Sequence, residues 1–302
     1  MKIVVTGHRG TVGRPLMIKL KARGHEVYGI DLQHSPDGIR ADVGNYRQLA
    51  EAFAKIGPVD MVYHLAAEFG RYNGEDFNEQ LWMSNAVGTK NILRLQKELG
   101  FDLTFASSSE AYGERHTTEP LHEGLPLNPM FCSNDYAISK MVNEAQIANA
   151  AKQWGNRVMT LRFFNAYGPG EYYHDYRSVV CLFCYRALKG LPYTVYEGYH
   201  RVFQYIDDLV ATLGNAATFF HPGETINVGG DEYCSVEDLH KEICKHVPDA
   251  AERVIYVPEE KHNVVSKRPD ITLARTLLGH NPRIRLEHGI PRTLNWLKRT
   301  YS

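Results

Sequence analysis

The sequence predicts a doubly wound parallel α/β fold, and three observations predict it. The chain opens on an apolar, β-branched run, Lys2–Thr6 (KIVVT), with the composition of a strand buried on both faces. That run passes at once into a glycine-spaced turn, and strand-like and helix-like segments go on alternating through Leu99. With 302 residues, 43% of them hydrophobic, the chain is long enough to bury one large core with a smaller appended region.

Charge and cysteine content narrow the partners. The 34 basic and 35 acidic residues leave a net charge of -1, which gives no electrostatic reason to expect nucleic acid or a membrane surface. Five cysteines (Cys132, Cys181, Cys184, Cys234 and Cys244) lack scaffold-like spacing, as expected of a reduced, cytoplasmic protein. Cys181 and Cys184 form a C-x-x-C inside an apolar helix-like run, SVVCLFCYRAL, and read as core packing rather than a redox or metal pair. The opening MKIVVTG reads as a strand and not a signal sequence, and no apolar run approaches the ~20 residues needed to span a bilayer.

In chain order, Gly7-His8-Arg9-Gly10-Thr11-Val12-Gly13 follows the first strand and precedes a helix over residues 15–23. Glycines at this spacing allow a tight turn whose backbone N–H groups, with the positive helix end, face a pyrophosphate. A second strand over residues 27–30 ends at Asp31, 18 residues past Gly13. A carboxylate there accepts from both ribose hydroxyls and repels a 2′-phosphate, so NAD is expected over NADP; Arg9 is the residue that leaves NADP open. A short third strand ends at Ala41-Asp42-Val43, with Asp42 placed to meet an adenine amino group. Residues 46–55 are helical by pattern, and residues 59–65 form a fourth strand followed by Ala66 and Ala67, small enough for a cofactor to lie against the backbone. His64, within that strand, reads as a packed core histidine. Residues 85–99 read as a long amphipathic helix, with Leu81, Trp82, Val87, Ile92, Leu95 and Leu99 as its apolar positions.

Residues 101–106 supply the fifth strand, with Ser107-Ser108-Ser109-Glu110 at its C-terminal end, where an open α/β sheet places its chemistry. A polar, proline-rich loop through Pro129 leads to a helix carrying Tyr136-Ala137-Ile138-Ser139-Lys140. Positions i and i+4 share a helix face, so Tyr136 and Lys140 point into one space. An ammonium beside a phenol is expected to draw the tyrosine pKa down from ~10. Such a tyrosine takes a proton from a hydroxyl as hydride leaves for a nicotinamide. Ser108, Tyr136 and Lys140 are therefore read as an acid/base set.

These motifs resemble those of the extended short-chain dehydrogenases/reductases, in the NAD-dependent nucleotide-sugar epimerase/dehydratase family. The similarity runs over essentially the whole chain, from TGHRGTVG through HLAA at 64–67, SSSEAYG at 107–113, YAISK at 136–140 and RFFNAYGPG at 162–170 to RVFQYIDD at 201–208, NVGG at 227–230 and KRPDI at 267–271. The resemblance implies a Rossmann-type sheet at residues 1–165 and a smaller mixed α/β region for the nucleotide sugar at 166–302, some of whose segments return to the first domain. It implies oxidation at C4 of a nucleoside-diphosphate hexose by NAD, giving a transient 4-keto sugar, and a homodimer through the helices starting near Asn85 and Tyr136. The implied catalytic set is Ser108, Ser109, Glu110, Tyr136 and Lys140. The cofactor set is Gly7, Arg9, Gly10, Thr11, Val12, Gly13, Asp31, Asp42, Val43, Leu65, Ala66, Ala67, Asn85, Tyr136, Lys140 and Phe163, with no metal.

Ser109 and Glu110 divide the subfamilies. A C4 ketone acidifies the C5 proton, so a carboxylate near C5 drives loss of water across C5–C6 or assists loss of a C6 carboxylate. Ser-Glu at this place resembles GDP-mannose 4,6-dehydratases and UDP-glucuronate decarboxylases, whereas simple 4-epimerases more often carry small or neutral residues. The alternatives are a 4-epimerase and an NAD(H)-binding regulator without turnover; the other reading of Glu110 is a helix-start acid. For the substrate, the resemblance places Asn165, Arg201 and Arg268 at the diphosphate, where guanidinium forks match phosphate oxygens. The aromatic and polar loop over residues 171–177, with Arg177, Val179 and Tyr196, suits the wall around the base or sugar. Glu68 and Arg71 lie where a charged loop touches the sugar. Asp207 is read as buttressing the site.

Overall fold

The computed structural model describes residues 1–70, 78–115, 117–258 and 264–302. β1 (Lys2–Thr6) lies at the centre because Ile3, Val4 and Val5 are apolar towards both faces, and none is exposed. There follow α1 (Gly13–Ala22), β2 (Glu26–Asp31), β3 (Gly38–Arg40), α2 (Tyr46–Ile56) and β4 (Met61–His64). Next come α3 (Asn78–Trp82), a π-helical segment (Met83–Val87), α4 (Gly88–Leu99), β5 (Asp102–Ser108), α5 (Asp135–Trp154) and β6 (Val158–Phe163). The remainder comprises β7 (Ala166–Tyr167), α6 (Val179–Leu188), β8 (Tyr193–Tyr196), β9 (His200–Val202), β10 (Gln204–Tyr205), α7 (Ile206–Ala216) and β11 (Thr225–Val228). Last are β12 (Tyr233–Ser235), α8 (Val236–Cys244), β13 (Val254–Val257), β14 (Ser266–Lys267), α9 (Thr272–Leu278) and α10 (Leu286–Tyr301).

Seven parallel strands form the main sheet in the order β11-β6-β5-β4-β1-β2-β3. The winding reverses between β1 and β4, so a crevice opens at their C-terminal ends. One face packs Ile3, Val5, Leu16 and Leu20 against Leu209 and Leu213 of α7; the other packs Val4 and Ile30 against Leu49 and Phe53 of α2 and Ile92 of α4. Cys181 and Cys184 are buried in α6, as core residues. Beside the main sheet, β12, β9 and β14 form a three-stranded sheet that sets Lys267 opposite Arg201. Caps define the helix that matters most: the Asn134 side chain accepts from Ala137 N–H (2.9 Å) at the start of α5, and left-handed Gly155 ends it. Such a cap is worth about 1 kcal/mol.

Where the elements differ from expectation, the causes are local. β3 stops at Arg40, before the expected Ala41 to Val43, because Asp42 turns the chain by accepting the Gly44 N–H on its side chain (2.8 Å). β5 runs on to Ser108, held in the sheet by pairing with Phe163. The helix expected over 85–99 is α4 preceded by the π-helical segment. A π turn takes an extra residue, which rotates the following face by about 100°. Val87 is accordingly 38% exposed, and Leu99, the last residue before left-handed Gly100, is 51% exposed.

His64 is a core histidine, with Nδ1 2.7 Å from Thr6 Oγ1 and Nε2 3.2 Å from Thr89 Oγ1. Burial, and to a lesser degree Lys140, push its pKa down to about 3. The unfolded chain therefore takes up a proton here that the fold refuses. The contribution to stability is complete above pH 6.5 and is lost as the pH falls from 6.5 to about 3. We expect a His64→Gln variant, able to bond both threonines, to lose less stability on acidification than the wild type, by up to roughly 4 kcal/mol at pH 3. Urea unfolding at pH 7, 5.5 and 4.5 measures it; parallel curves for the two proteins would contradict it.

Candidate functional site

The crevice is built first by glycines. Gly7 leaves β1 with φ +70°, and a Cβ there would sit 2.8 Å from the Ala66 nitrogen; a Cβ on Gly13 would sit 2.3 Å from the Gly7 carbonyl oxygen. The turn closes with Gly10 N–H donating to Gly7 O (3.0 Å). α1 then begins at Gly13 after Val12, with no side-chain cap and no acid in its first turn, so its N–H groups face the crevice. Asp31, at the end of β2, accepts from Arg9 N–H (3.0 Å) and Gln33 N–H (3.1 Å). The Arg9 guanidinium donates to the His34 carbonyl, so its side chain fastens the loop after β2. Thr11 Oγ1 donates to Gly170 O (3.3 Å), tying the glycine turn to the segment after β7. Val43 is buried, and its methyl leaves no room for a Cβ at Gly88 (2.8 Å). Leu65, Ala66 and Ala67 are half-buried at the end of β4. Asn85 locks that end in place: its amide accepts from Glu68 N–H (2.9 Å) and donates to Glu68 O (3.1 Å) and Ser139 Oγ (2.9 Å). A turn with no space for a Cβ at Gly7 or Gly13, an uncapped helix start and a carboxylate beside it fit a dinucleotide.

The acid/base residues meet at the end of β5. Ser108 is 8% exposed, hydrogen-bonds to the Tyr136 side chain and accepts from Glu110 N–H (3.2 Å). Lys140, 4% exposed, donates from Nζ to the Ala106 carbonyl (2.9 Å) and lies 5.8 Å from the Tyr136 ring centre. Burial pushes Lys140 down to about 8, with Glu144 opposing the shift. The expectation that the ammonium draws Tyr136 down is overturned. Burial pushes Tyr136 up to about 12, the Ser108 hydrogen bond opposes this, and Glu110 adds to it. The ammonium is turned to a backbone carbonyl, and desolvation of the phenolate wins.

Glu110 is the second residue of a short 3-10 turn, Ser109–Tyr112, after buried Ser109, and its carboxylate is met by Lys267 Nζ at 2.6 Å. Lys267 is 4% exposed, and the cleft around the pair is lined by Phe131, Cys132, Ser133 and Val264. Lys267 was not singled out from the sequence, although it stands in the KRPDI motif. Arg268, expected at the diphosphate, follows β14 and is exposed, 5.6 Å from the Tyr233 ring. Arg201 is buried, and it donates to the carbonyls of His200 (2.8 Å), Val265 (3.1 Å) and Val264 (2.7 Å). Asn165 adopts φ +38°, which Asn tolerates better than most residues, and donates to Val202 O (3.0 Å). The Arg177 guanidinium lies 3.9 Å over the Phe69 ring, bringing the 171–177 loop against the segment after Ala67. Val179 opens α6, and Tyr196 closes β8 with its ring 6.0 Å from Tyr199. Phe163 ends β6, packed against the core. Arg71 lies outside the described residues. Asp208, not Asp207, does the bracing: it accepts from Arg283 and Ile284 N–H (both 2.9 Å), while Asp207 is exposed. Among the described residues, no cluster of three or more His, Cys, Asp or Glu is placed to hold a metal, and no helix is long and apolar enough to cross a membrane.

Residues 3–229 match the sequence model of the NAD dependent epimerase/dehydratase family. The chain is similar to UDP-glucuronic acid decarboxylase 1 of Xenopus tropicalis, with 31% identity over 99% of this chain and 72% of the relative. It is 27% identical to the UDP-N-acetyl-alpha-D-glucosaminuronate decarboxylase of Bacillus cytotoxicus over 98% of each chain. Among solved structures, the UDP-glucose 4-epimerase of Thermotoga maritima with UDP-glucose superposes with a TM-score of 0.91 at 25% identity, covering 100% of both chains. The UDP-glucuronic acid 4-epimerase of Bacillus cereus, in complex with UDP-glucuronic acid and NAD, gives 0.86 at 26% identity, also covering 100% of both.

The charge on Lys140 is the property most open to test. If the protonated form is the working one, kcat falls as the pH rises through about 8, where Lys140 loses its proton. A pH–rate profile flat from 7 to 10 would show that turnover does not need the Lys140 ammonium.

Proposed function

We propose that this chain, which belongs to the NAD-dependent epimerase/dehydratase family, decarboxylates a UDP-linked hexuronate. The observation that carries the reading is the Glu110–Lys267 pair beside Ser108 and Tyr136. A hexuronate brings a C6 carboxylate into the site, and a cation is needed to receive it. A dehydratase needs a carboxylate reserved for the C5 proton, whereas Glu110 is engaged with an ammonium. The relatives named as decarboxylases point the same way.

Bound NAD supplies an acceptor for the hydride at C4 of the sugar. The chain's residues do the rest. Ser108 orients the C4 hydroxyl, and Tyr136 in its ionised form takes its proton. Ser108 favours the ionised tyrosine by hydrogen bonding, against the burial that holds the phenol neutral. The C6 carboxylate is then β to a ketone: the C5–C6 bond breaks, carbon dioxide leaves, and the electron pair moves into the C4–C5 enolate. Lys267 receives the carboxylate before it leaves, and a proton returned to C5 gives a 4-keto pentose; return of the C4 hydride, with the Tyr136 proton going back to O4, would close the cycle and leave a UDP-pentose.

Proton NMR and mass spectrometry in deuterated water test this with UDP-glucuronate, UDP-glucose and GDP-mannose. Carbon dioxide loss with deuterium at C5 is the expected result. Lys267→Met should lower kcat/KM for UDP-glucuronate about 100-fold while UDP-glucose binding stays within about twofold. Loss of water from a neutral hexose would make the enzyme a dehydratase. A sugar of unchanged mass would make it a 4-epimerase, the second reading, which the Bacillus cereus neighbour favours.

The chain acts as a homodimer through the helical segments starting near Asn85 and Tyr136. Exposed Met83 and Val87 on the first of them support this. A monomeric mass by light scattering would refute it. The cysteines are all free, which suits a reducing cytoplasm.

A further inference from the structure

Glu144 stands one helical turn beyond Lys140 on α5, and the reaction above makes no use of it. Its carboxylate joins three elements. Oε1 accepts from Ser107 Oγ at the end of β5 (2.6 Å) and from Arg162 Nε on β6 (3.0 Å), while Oε2 accepts from Arg162 Nη2 (2.6 Å). The Arg162 and Glu144 side chains are only 5% and 12% exposed. An apolar pair of the same volume would serve the core at least as well, so stability alone does not account for these charges. The bonds fix geometry. Ser107 precedes Ser108, Ser108 bonds Tyr136, and Tyr136 rides the same helix as Glu144. The contacts close a ring from Glu144 to Ser107, through Ser108 to Tyr136 and back along α5. Arg162 also lies 4.6 Å from the Tyr112 ring, whose hydroxyl donates to Asn227 Oδ1 (2.9 Å), so the ring is anchored to β11.

We propose that Glu144 is a positioning residue for proton transfer at Tyr136, holding Ser107, and with it Ser108, at a fixed distance from the helix that carries Tyr136 and Lys140. This rests on the reading of Ser108, Tyr136 and Lys140 as the reacting set. A second effect follows from charge. Among the described residues, the titratable and charged groups that act on Tyr136 and Lys140 are His64 on β4, Glu110 after β5 and Glu144 on α5, the two carboxylates being paired with Lys267 and Arg162. His64 is kept neutral by burial, and Glu144 favours the protonated form of Lys140. Loss of that negative charge moves the alkaline limb of kcat to lower pH.

Two variants separate geometry from charge. Ser107→Ala leaves the ion pair intact; it should cut kcat about tenfold, with KM within about twofold and the alkaline limb unmoved. Glu144→Gln should cut kcat and move the alkaline limb down by roughly one pH unit. Circular dichroism and NAD binding report folding, and if Glu144→Gln does not fold, Ser107→Ala decides alone. Wild-type kcat in Ser107→Ala, or an unmoved limb in folded Glu144→Gln, overturns the proposal if Tyr136→Phe is inactive under the same conditions. An active Tyr136→Phe overturns the reading of the reacting set instead.

Discussion

Keeping a lysine amine inside the core is the constraint on which this site rests. Taking an ammonium out of water costs several kcal/mol even after the protein relaxes. Lys140 meets that cost with one backbone carbonyl, Ala106 O, and with the field of Glu144 a turn away. Both partners depend on where β5 ends and on how α5 lies against it. The Asn134 cap fixes where α5 starts, the Asn85 amide ties Ser139 to the end of β4, and Ser107 ties Glu144 to β5. Each bond spans a different pair of elements, so the amine sits where the sheet, the crevice and the helix agree.

The fold was legible because its signals are local. The KIVVT run, the glycine turn and the i, i+4 pair each fix backbone or facing direction from neighbours in sequence, and each sits where expected. What was not legible depends on distant partners. That Lys267 turns towards Glu110 is decided by the pairing of β14 with β9, about which KRPDI says nothing by itself. The state of Tyr136 depends on how deeply the phenol is enclosed and on where the Lys140 amine turns, neither of which follows from spacing. The π-helical segment has no composition of its own, so the exposure of Val87 at its end was not foreseen. Asp207 and Asp208 were separable only once the backbone of residues 283–284 was seen to lie over one of them.

The segment that carries Lys267 is held by backbone and side-chain bonds together. Leu121 N–H donates to Arg268 O (2.7 Å) and Asp270 N–H to Leu121 O (2.9 Å), a short parallel bridge between segments far apart in sequence. Asn227 Nδ2 donates to both Leu121 O (2.8 Å) and Asp270 O (3.2 Å), and its own N–H is taken by Glu123 (2.8 Å). Lys267 is therefore carried to Glu110 by a framework that includes the Asn227 and Glu123 side chains as well as backbone.

That framework reaches the main sheet through β11, the strand beside β6, and this has a consequence for how the chain is made. β11 begins at Thr225, long after the other six strands have been synthesised, so β6 remains an open edge while the intervening segment emerges. The nucleotide-binding half is thus an unfinished sheet with bare N–H and C=O groups rather than a free-standing module. Fragments cut near residue 165 would meet one another edge to edge, and grafts of the C-terminal segment between relatives must bring a strand that fits β6 as well as a pocket that fits a sugar.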